Sequence, residues 1–587
     1  MGNRCPVRER PRRQHRRHRD RAGGDGPRGS RPRRVVAAGI RRLRPPRGAH
    51  RDLGDAARVT GFGRHVARGA RHRRHRQRTP RPDADRRRPC GLRHRGPWRP
   101  HRGDRRAREI GLRDVGLLAR PEDRRTDRAT GHAVTAGRLL AADRHWWRSK
   151  DRLGLVAGSP GTYFRVTEDG AAVLDSIESG EPVAQSGLVD RLVAAGAAHP
   201  APGNPVPAHD VTVVIPTHCR TSAHTERLSA LVATLAPLRV VVVDDASPVP
   251  PSPAGADVHR MTTNSGPGAA RNAGLAVVTT PFVAFVDDDV TVDAAAVLAL
   301  TGHFSDPNVA FVAPRIVAAD DGRFVAAYER SRSPLDMGGS PARVRPGSVV
   351  PYVPSAVLVA RTAAMQDGFD GSLRTGEDVE FVWRATSDEA QCRYEPTVEC
   401  AHAVRPSWAA LLAQRFSYGR SAADIDRRRP WSVPPVRGHL LHLLPVVLLL
   451  AGQFIWAVDA ALVSAVFTFA SLRRMRLGRR ELLSIARLNL VLATRHVGRA
   501  VTREWWPVLA VLSFVSVTAQ VALLFCLAMS VMTDIVRIRP DNVALHTLLR
   551  VLDPLAYGAG VWAGALRSMS PRCLLPVVSL RLRRSGG

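Results

Sequence analysis

The 587-residue sequence predicts an α/β protein: a domain built on a mostly parallel sheet, preceded by a small α+β module and followed by a helical, membrane-associated tail. Three observations carry this. Short β-branched runs alternate with helix-like stretches through the middle of the chain. Acidic residues stand just after those runs. Long apolar stretches fill residues 431–587.

Residues 1–133 hold most of the charge. The formal net charge is +36, and residues 1–100 contain 33 Arg and no Lys against 7 acidic residues, a net +26. Runs such as Arg71-His72-Arg73-Arg74-His75-Arg76 cannot bury enough apolar surface to offset chain entropy, so disorder is expected. A nucleic-acid arm would want aromatics that stack on bases, yet Phe62 and Trp98 are the only ones in the first hundred residues. No apolar core of seven or more residues follows the charges, as a targeting peptide requires. Arg, Pro, Gly, His and Ala also dominate when GC-rich DNA is translated upstream of a start or out of frame. The segment is read that way, with a true start near Val134 and no nucleic-acid partner. Seven scattered cysteines (Cys5, Cys90, Cys219, Cys392, Cys400, Cys526, Cys573) form no CxxC pair and suit a reducing compartment.

Residues 134–200 read as a small α+β module, with strands at 153–156 and 162–166 and helices at 171–177 and 188–195. Thr167 is placed to cap a helix beginning at Glu168-Asp169. The string Tyr163-Phe164-Arg165-Val166-Thr167-Glu168-Asp169-Gly170-Ala171-Ala172-Val173-Leu174, followed by Leu192-Val193-Ala194-Ala195-Gly196, resembles the winged-helix peptide-recognition modules of modified-peptide biosynthesis. Pro202, Pro205 and Pro207 make residues 201–209 a stiff linker.

Residues 210–430 form the α/β domain. The runs 211–215, 240–243, 282–286 and 309–312 are short, β-branched and bounded by Pro or Asp, with helical stretches near 225–235, 267–278 and 293–304 between them. Strands buried on both faces imply a mostly parallel sheet, and its ligands are expected at the strands' carboxyl ends. In residues 431–587 the apolar runs are 440–456, 457–472, 506–533 and 551–566. Only the third is clearly long enough for a ~20-residue span, while the first two suit a tight hairpin or one tilted span. The basic stretch between these two and the third, holding Arg473, Arg474, Arg476, Arg479, Arg480, Arg487, Arg495, Arg499 and Arg503, is expected to stay cytoplasmic, with the catalytic domain on that side.

The acidic residues suggest the chemistry. Asp244-Asp245 ends a strand, where a carboxylate can accept from a nucleobase N–H. Asn264-Ser265-Gly266-Pro267-Gly268-Ala269-Ala270-Arg271-Asn272 is a Gly-rich loop entering a helix, a setting that favours phosphate. It has neither the Lys-Ser/Thr of a Walker loop nor a dinucleotide spacing. Asp287-Asp288-Asp289 follows a buried strand; Asp287 and Asp289 point to one side and are suited to a hard divalent ion with a diphosphate. Glu377-Asp378 opens a helix, where a carboxylate can take a proton from an attacking hydroxyl. His402 is a candidate third metal ligand.

In order, Val211-Thr212-Val213-Val214-Ile215-Pro216, Val243-Asp244-Asp245-Ala246-Ser247, Gly268-Ala269-Ala270-Arg271-Asn272, Phe285-Val286-Asp287-Asp288-Asp289 and Gly376-Glu377-Asp378-Val379 resemble the family 2 glycosyltransferases over roughly 210–425. The resemblance implies a GT-A fold, a nucleotide-sugar donor and transfer with inversion. Asp244 or Asp245 would meet uracil or another base, with Pro216, Gly268, Arg271, Asn272 and Asp288 also on the donor. Asp287, Asp289 and His402 would hold Mg2+ or Mn2+. Asp378 would be the base, with Glu377 beside it. Gln414-Arg415-Phe416-Ser417-Tyr418 only partly echoes the Gln-x-x-Arg-Trp of processive synthases, which argues against long-chain polymerisation. Val312-Ala313-Pro314-Arg315-Ile316, Tyr352-Val353-Pro354-Ser355-Ala356 and Tyr418-Gly419-Arg420-Ser421-Ala422-Ala423, with the small module and apolar tail, resemble the mycofactocin-system glycosyltransferases. That narrower resemblance implies glucose from UDP-glucose, added as β-1,4-linked units to a peptide-derived acceptor such as premycofactocin.

Other readings are a membrane glycosyltransferase of cell-wall polysaccharide or glycolipid synthesis, and a basic nucleic-acid or membrane-surface binder driven by the N-terminal charge. A nucleotidyltransferase would want a Lys-bearing Gly-rich loop near the first strand, which Pro216-Thr217-His218-Cys219-Arg220 does not supply.

Overall fold

The computed structural model describes residues 137–387 and 389–580. The Arg-rich segment, with its expected disorder and late start, lies outside the described residues.

The small module contains β1 (Leu140–Ala142), β2 (Trp146–Arg148), β3 (Gly154–Ala157), β4 (Thr162–Arg165), α1 (Glu168–Ser179), α2 (Gly187–Ala194) and β5 (Ala198–Pro200). β2, β3 and β4 form an antiparallel meander, and β1 pairs with β5. The Thr167 hydroxyl accepts from the Gly170 N–H, which satisfies an orphan donor of α1 as the sequence anticipates. Leu155, Leu174 and Leu192 fill the core. Arg345 of the next domain ties the module down, donating to the Ser159 and Ala195 carbonyls at 3.0 Å each.

The α/β domain runs β6 (Val211–Thr217), α3 (Ser222–Thr234), β7 (Arg239–Asp244), β8 (Ala256–Arg260), α4 (Pro267–Leu275), β9 (Phe282–Val286), β10 (Val290–Thr291), α5 (Ala294–Thr301), β11 (Val309–Ala318), α6 (Phe324–Arg332), β12 (Ala342–Val344), β13 (Val357–Arg361), α7 (Glu377–Ala385), β14 (Gln391–His402) and α8 (Trp408–Arg428). The sheet order is β10-β14-β11-β13-β9-β6-β7-β8, with β12 on β14. β9, β6, β7 and β8 are parallel, as expected of this half. β13 inserts antiparallel between β9 and β11, and β14 then runs parallel to β11. The parallel half puts Thr217, Asp244 and Asp287 along one edge. Pro216 is tolerated in this central strand because β9 pairs only Val211 to Val214, so its missing N–H falls beyond that ladder. A Cβ on Gly274 would sit 2.3 Å from Val214 Cγ1, so glycine there lets α4 lie close on the sheet.

The tail comprises α9 (Leu440–Leu450), α10 (Phe454–Leu472), α11 (Arg479–Arg503), α12 (Trp506–Leu512), α13 (Val517–Ile538) and α14 (Val543–Ser568). The expected long span at 506–533 is corrected: a turn at 513–516 divides it, and Ser516 caps α13 by accepting from the Ala519 N–H. Among the described residues, the helices long and apolar enough to cross a membrane are α10 and α13, the latter holding most of that run. α14, apolar in sequence, lies on α8 at backbone contact. A Cβ on Gly419 would fall 2.0 Å from the Tyr557 carbonyl oxygen, and one on Gly560 2.0 Å from that of Phe416. Buried Arg415 joins these helices to α6, donating to Glu329 at 2.9 Å and to Asp553 at 3.1 Å.

Candidate active site

The parallel strands end in a row of carboxylates, and the fold decides what each one meets. Asp244, fully buried at the end of β7, accepts from the Ser247 N–H at 2.8 Å and from Arg260. Asp245 accepts from the Ser265 and Gly266 N–H groups at 2.6 and 2.7 Å, so it shapes the Gly-rich loop. Gly266 has φ +93, a conformation that glycine reaches without penalty. Arg374 closes over the loop, donating to the Asn264 carbonyl at 2.8 Å. The sequence reading missed Arg374; an Arg before Gly376-Glu377-Asp378 carries no motif of its own.

The loop feeds α4, whose Arg271 and Asn272 both reach inward. Asn272 holds the neighbouring turn: its amide donates to the Phe369 carbonyl and accepts from the Phe369 N–H, both at 2.7 Å. Gly268 abuts that turn, since a Cβ there would lie 3.3 Å from the Asp370 carbonyl oxygen. Arg271 is buried and donates to Asp287 at 2.6 Å and to Glu377 at 2.8 Å. Burial would lower its pKa, but the two carboxylates more than offset this, so the guanidinium stays charged. Its Nε is buried without a hydrogen-bond partner.

The three adjacent aspartates diverge. Asp287, half-buried, faces Arg271; burial and the nearby Asp289 charge raise its pKa despite that partner. Asp288 accepts from Thr217 of β6, and its Oδ2 lies 2.9 Å from His224 Nε2 of α3. Asp289 Oδ1 lies 3.2 Å from His402 Nε2. Strand register explains this last meeting, since β10 pairs Val290 with His402 across a long stretch of chain. Among the described residues no three His, Cys, Asp or Glu side chains already converge as a metal cage. Asp289 and His402 meet, while Asp287 is engaged by Arg271. The donor set still suits a divalent ion such as Mn2+ or Mg2+, and a cation here would relieve the repulsion between Asp287 and Asp289.

Glu377 and Asp378 open α7. Gly376, at φ +82, turns the chain into the helix, and α8 backs this turn through Ser421 and Ile425. Glu377 is buried and committed to Arg271. Asp378 keeps part of its surface open, and its carboxylate accepts only from the Val379 N–H, at 2.8 Å. Burial, then the charge of Glu377, push its pKa up to about 7. Burial makes the Tyr352 and Tyr418 phenols harder to ionise, and the charge of Asp378 adds to this at both. A cavity of about 10 Å³, lined by His402, Gln414 and Tyr418 among others, adjoins this side.

Sequence similarity to known proteins extends over much of the chain. A model of glycosyl transferase family 2 matches residues 212–366. The pre-mycofactocin glycosyltransferase of Mycobacterium tuberculosis, in strains CDC 1551 / Oshkosh and ATCC 25618 / H37Rv, is 36% identical over 472 residues, covering 76% of this chain and 99% of that protein. Solved structures are more loosely similar. The mannosyltransferase PcManGT from Pyrobaculum calidifontis, in complex with GDP-Man and Mn2+, gives a TM-score of 0.35 at 15% identity over 62% of this chain and 89% of that one. S. aureus TarS 1-349 with UDP-GlcNAc gives 0.28 at 16% over 49% and 89%. The chain belongs to glycosyltransferase family 2, with a GT-A type domain, and within that family to the pre-mycofactocin glycosyltransferases.

Proposed function

We propose that this glycosyltransferase moves a hexose, glucose from UDP-glucose being favoured, to an acceptor hydroxyl with inversion. The acceptor is a peptide-derived redox cofactor precursor of the premycofactocin type, to which glucose is added as β-1,4-linked units. The observation that carries the reading is Asp378: a carboxylate with an open face, held near neutral pKa, beside an Arg271–Asp287–Glu377 cluster.

Inversion asks one carboxylate to remove the acceptor proton as the hydroxyl oxygen bonds to the anomeric carbon. The bond to the diphosphate oxygen breaks on the opposite face, and the proton ends on Asp378. Glu377 is less suited because Arg271 already occupies it. Arg271, with its unpartnered Nε, is positioned to sense the donor's negative charge. Asp287, Asp289 and His402 are the residues that would hold a divalent ion, which when bound supplies charge neutralisation for the diphosphate. Apolar, exposed α10 and α13 support attachment to a membrane, and the arginines of 473–503 are the reason to put the catalytic domain on the cytoplasmic side.

The test is to offer the purified protein a panel of nucleotide sugars with metal, with and without a premycofactocin-type peptide. Nucleoside diphosphate release from UDP-glucose that depends on the peptide is expected. Release that needs a lipid or glycan acceptor instead would replace the acceptor assignment.

A further inference from the structure

The two long apolar helices belong to hairpins with short partners. In the first, the His442 Nδ1 of α9 lies 2.7 Å from the Ser464 hydroxyl of α10, and His439 stacks on Phe467 at 4.8 Å between ring centres. The helices are therefore antiparallel, with their turn at 451–453. That turn presents Phe454, Ile455 and Trp456, exposed by 66, 78 and 64%. In the second, α12 and α13 meet at 513–516, where Phe514 and Val515 are 89 and 85% exposed.

The opposite ends are fastened to the protein body. β15 (Arg437–His439) pairs with β16 (Val577–Ser579) just before α9. Beyond α10, the Arg476 carbonyl accepts from the Lys150 N–H at 3.3 Å, and the Arg476 side chain reaches Asp151. Below α12, the indole N–H groups of Trp505 and Trp506 donate to the Leu574 and Leu555 carbonyls. Toward the end of α13, Asp534 is fully buried against Arg332 of α6 and Arg550 of α14. Exposed arginines crowd this side: Arg473, Arg476, Arg479, Arg480, Arg537 and Arg539.

The short arms set the depth. At 1.5 Å per residue, eleven-residue α9 rises about 16 Å and seven-residue α12 about 10 Å. A bilayer's hydrocarbon core is ~30 Å thick. For either tip to emerge on the far side, the short arm would have to draw Arg437, or Arg503 and Glu504, deep into hydrocarbon, where charges are strongly disfavoured.

We infer that the tail is monotopic: both hairpins dip their tips into one leaflet of an anionic bilayer, and neither crosses it. This rests on the membrane attachment proposed above. Exposed apolar tips enter the acyl chains, the arginine-rich bases meet lipid phosphates, and the active site stays close to one membrane face.

The inference is tested in the full chain with Ile455→Cys and Val515→Cys at the tips and Asp541→Cys at the base. A membrane-impermeant maleimide is added to inverted membrane vesicles and to spheroplasts, and labelling is read against the unsubstituted chain, whose described cysteines are buried. Sugar transfer in the same membranes reports that each variant folds. The expected pattern is labelling of Asp541→Cys in inverted vesicles only, with both tip sites at background in either preparation until detergent is added. Tip labelling in spheroplasts would show a full crossing, and tip labelling in inverted vesicles would show no insertion; either overturns the inference. Absence from the membrane fraction would instead overturn the membrane reading itself, leaving the transferase reading to the donor assay.

Discussion

Arg271 Nη2 lies 2.6 Å from Asp287 Oδ1 and joins the Gly-rich loop's helix to the carboxylate that ends β9. The same guanidinium holds Glu377, so one buried cation fixes two acidic elements far apart in sequence. Breaking a buried pair of this kind typically costs about 3–5 kcal/mol, because a charge is left without its partner. Arg271→Ala is therefore expected to lower the melting temperature and weaken UDP-sugar binding together. Arg271→Lys should recover more of the melting temperature than of the donor affinity, since an ammonium cannot serve both carboxylates with a planar fork. Calorimetric unfolding and a donor titration separate the two.

Activity is expected to need a divalent cation. A chelator should abolish transfer, and added Mn2+ or Mg2+ should restore it. Asp287→Asn and Asp289→Asn should each weaken donor binding as well as turnover, and full activity in excess chelator would remove the metal assignment.

Tyr352 and Tyr418 lie near enough to Asp378 for its charge to act on their phenols. Replacing either with Phe should raise the KM for the acceptor while leaving donor affinity unchanged. Steady-state kinetics with each substrate varied in turn checks this.

The raised pKa of Asp378 has a definite sign. A base must be ionised to act, so turnover should rise with pH through an inflection near 7, displaced downward if a bound cation adds its field. The same shift weakens the fold, because an acid whose pKa is raised on folding loses stability as pH climbs from its unfolded value toward about 7. Asp378→Asn should therefore melt higher than the native chain at pH 8, with the gain fading toward pH 4. Melting curves across that range, without metal, test the point.

Much of the fold was legible in the sequence. The β-branched runs before Asp244 and Asp287 announce buried strands whether or not their neighbours are known, and Thr167 announces its helix. Order in sequence also pointed to Asp287, Asp289, Glu377 and Asp378. What sequence could not say is which carboxylate is spoken for. Asp245 turns to the Ser265 and Gly266 amides, and Glu377 to Arg271, through contacts that only the packed sheet and α4 create. The antiparallel insertion of β13 was equally hidden, since an apolar run looks the same in either direction. The run 506–533 read as one span because composition is blind to a turn that Ser516 caps.

The most direct measurement compares donor binding with sugar transfer in Asp378→Asn. General base help is typically worth ~10²–10⁴-fold. If Asp378 is the base, the variant binds UDP-glucose and metal nearly as the native chain does, while transfer falls at least about a hundredfold. Normal transfer by Asp378→Asn, or a loss explained wholly by weaker donor binding, would contradict the assignment and move attention to Glu377.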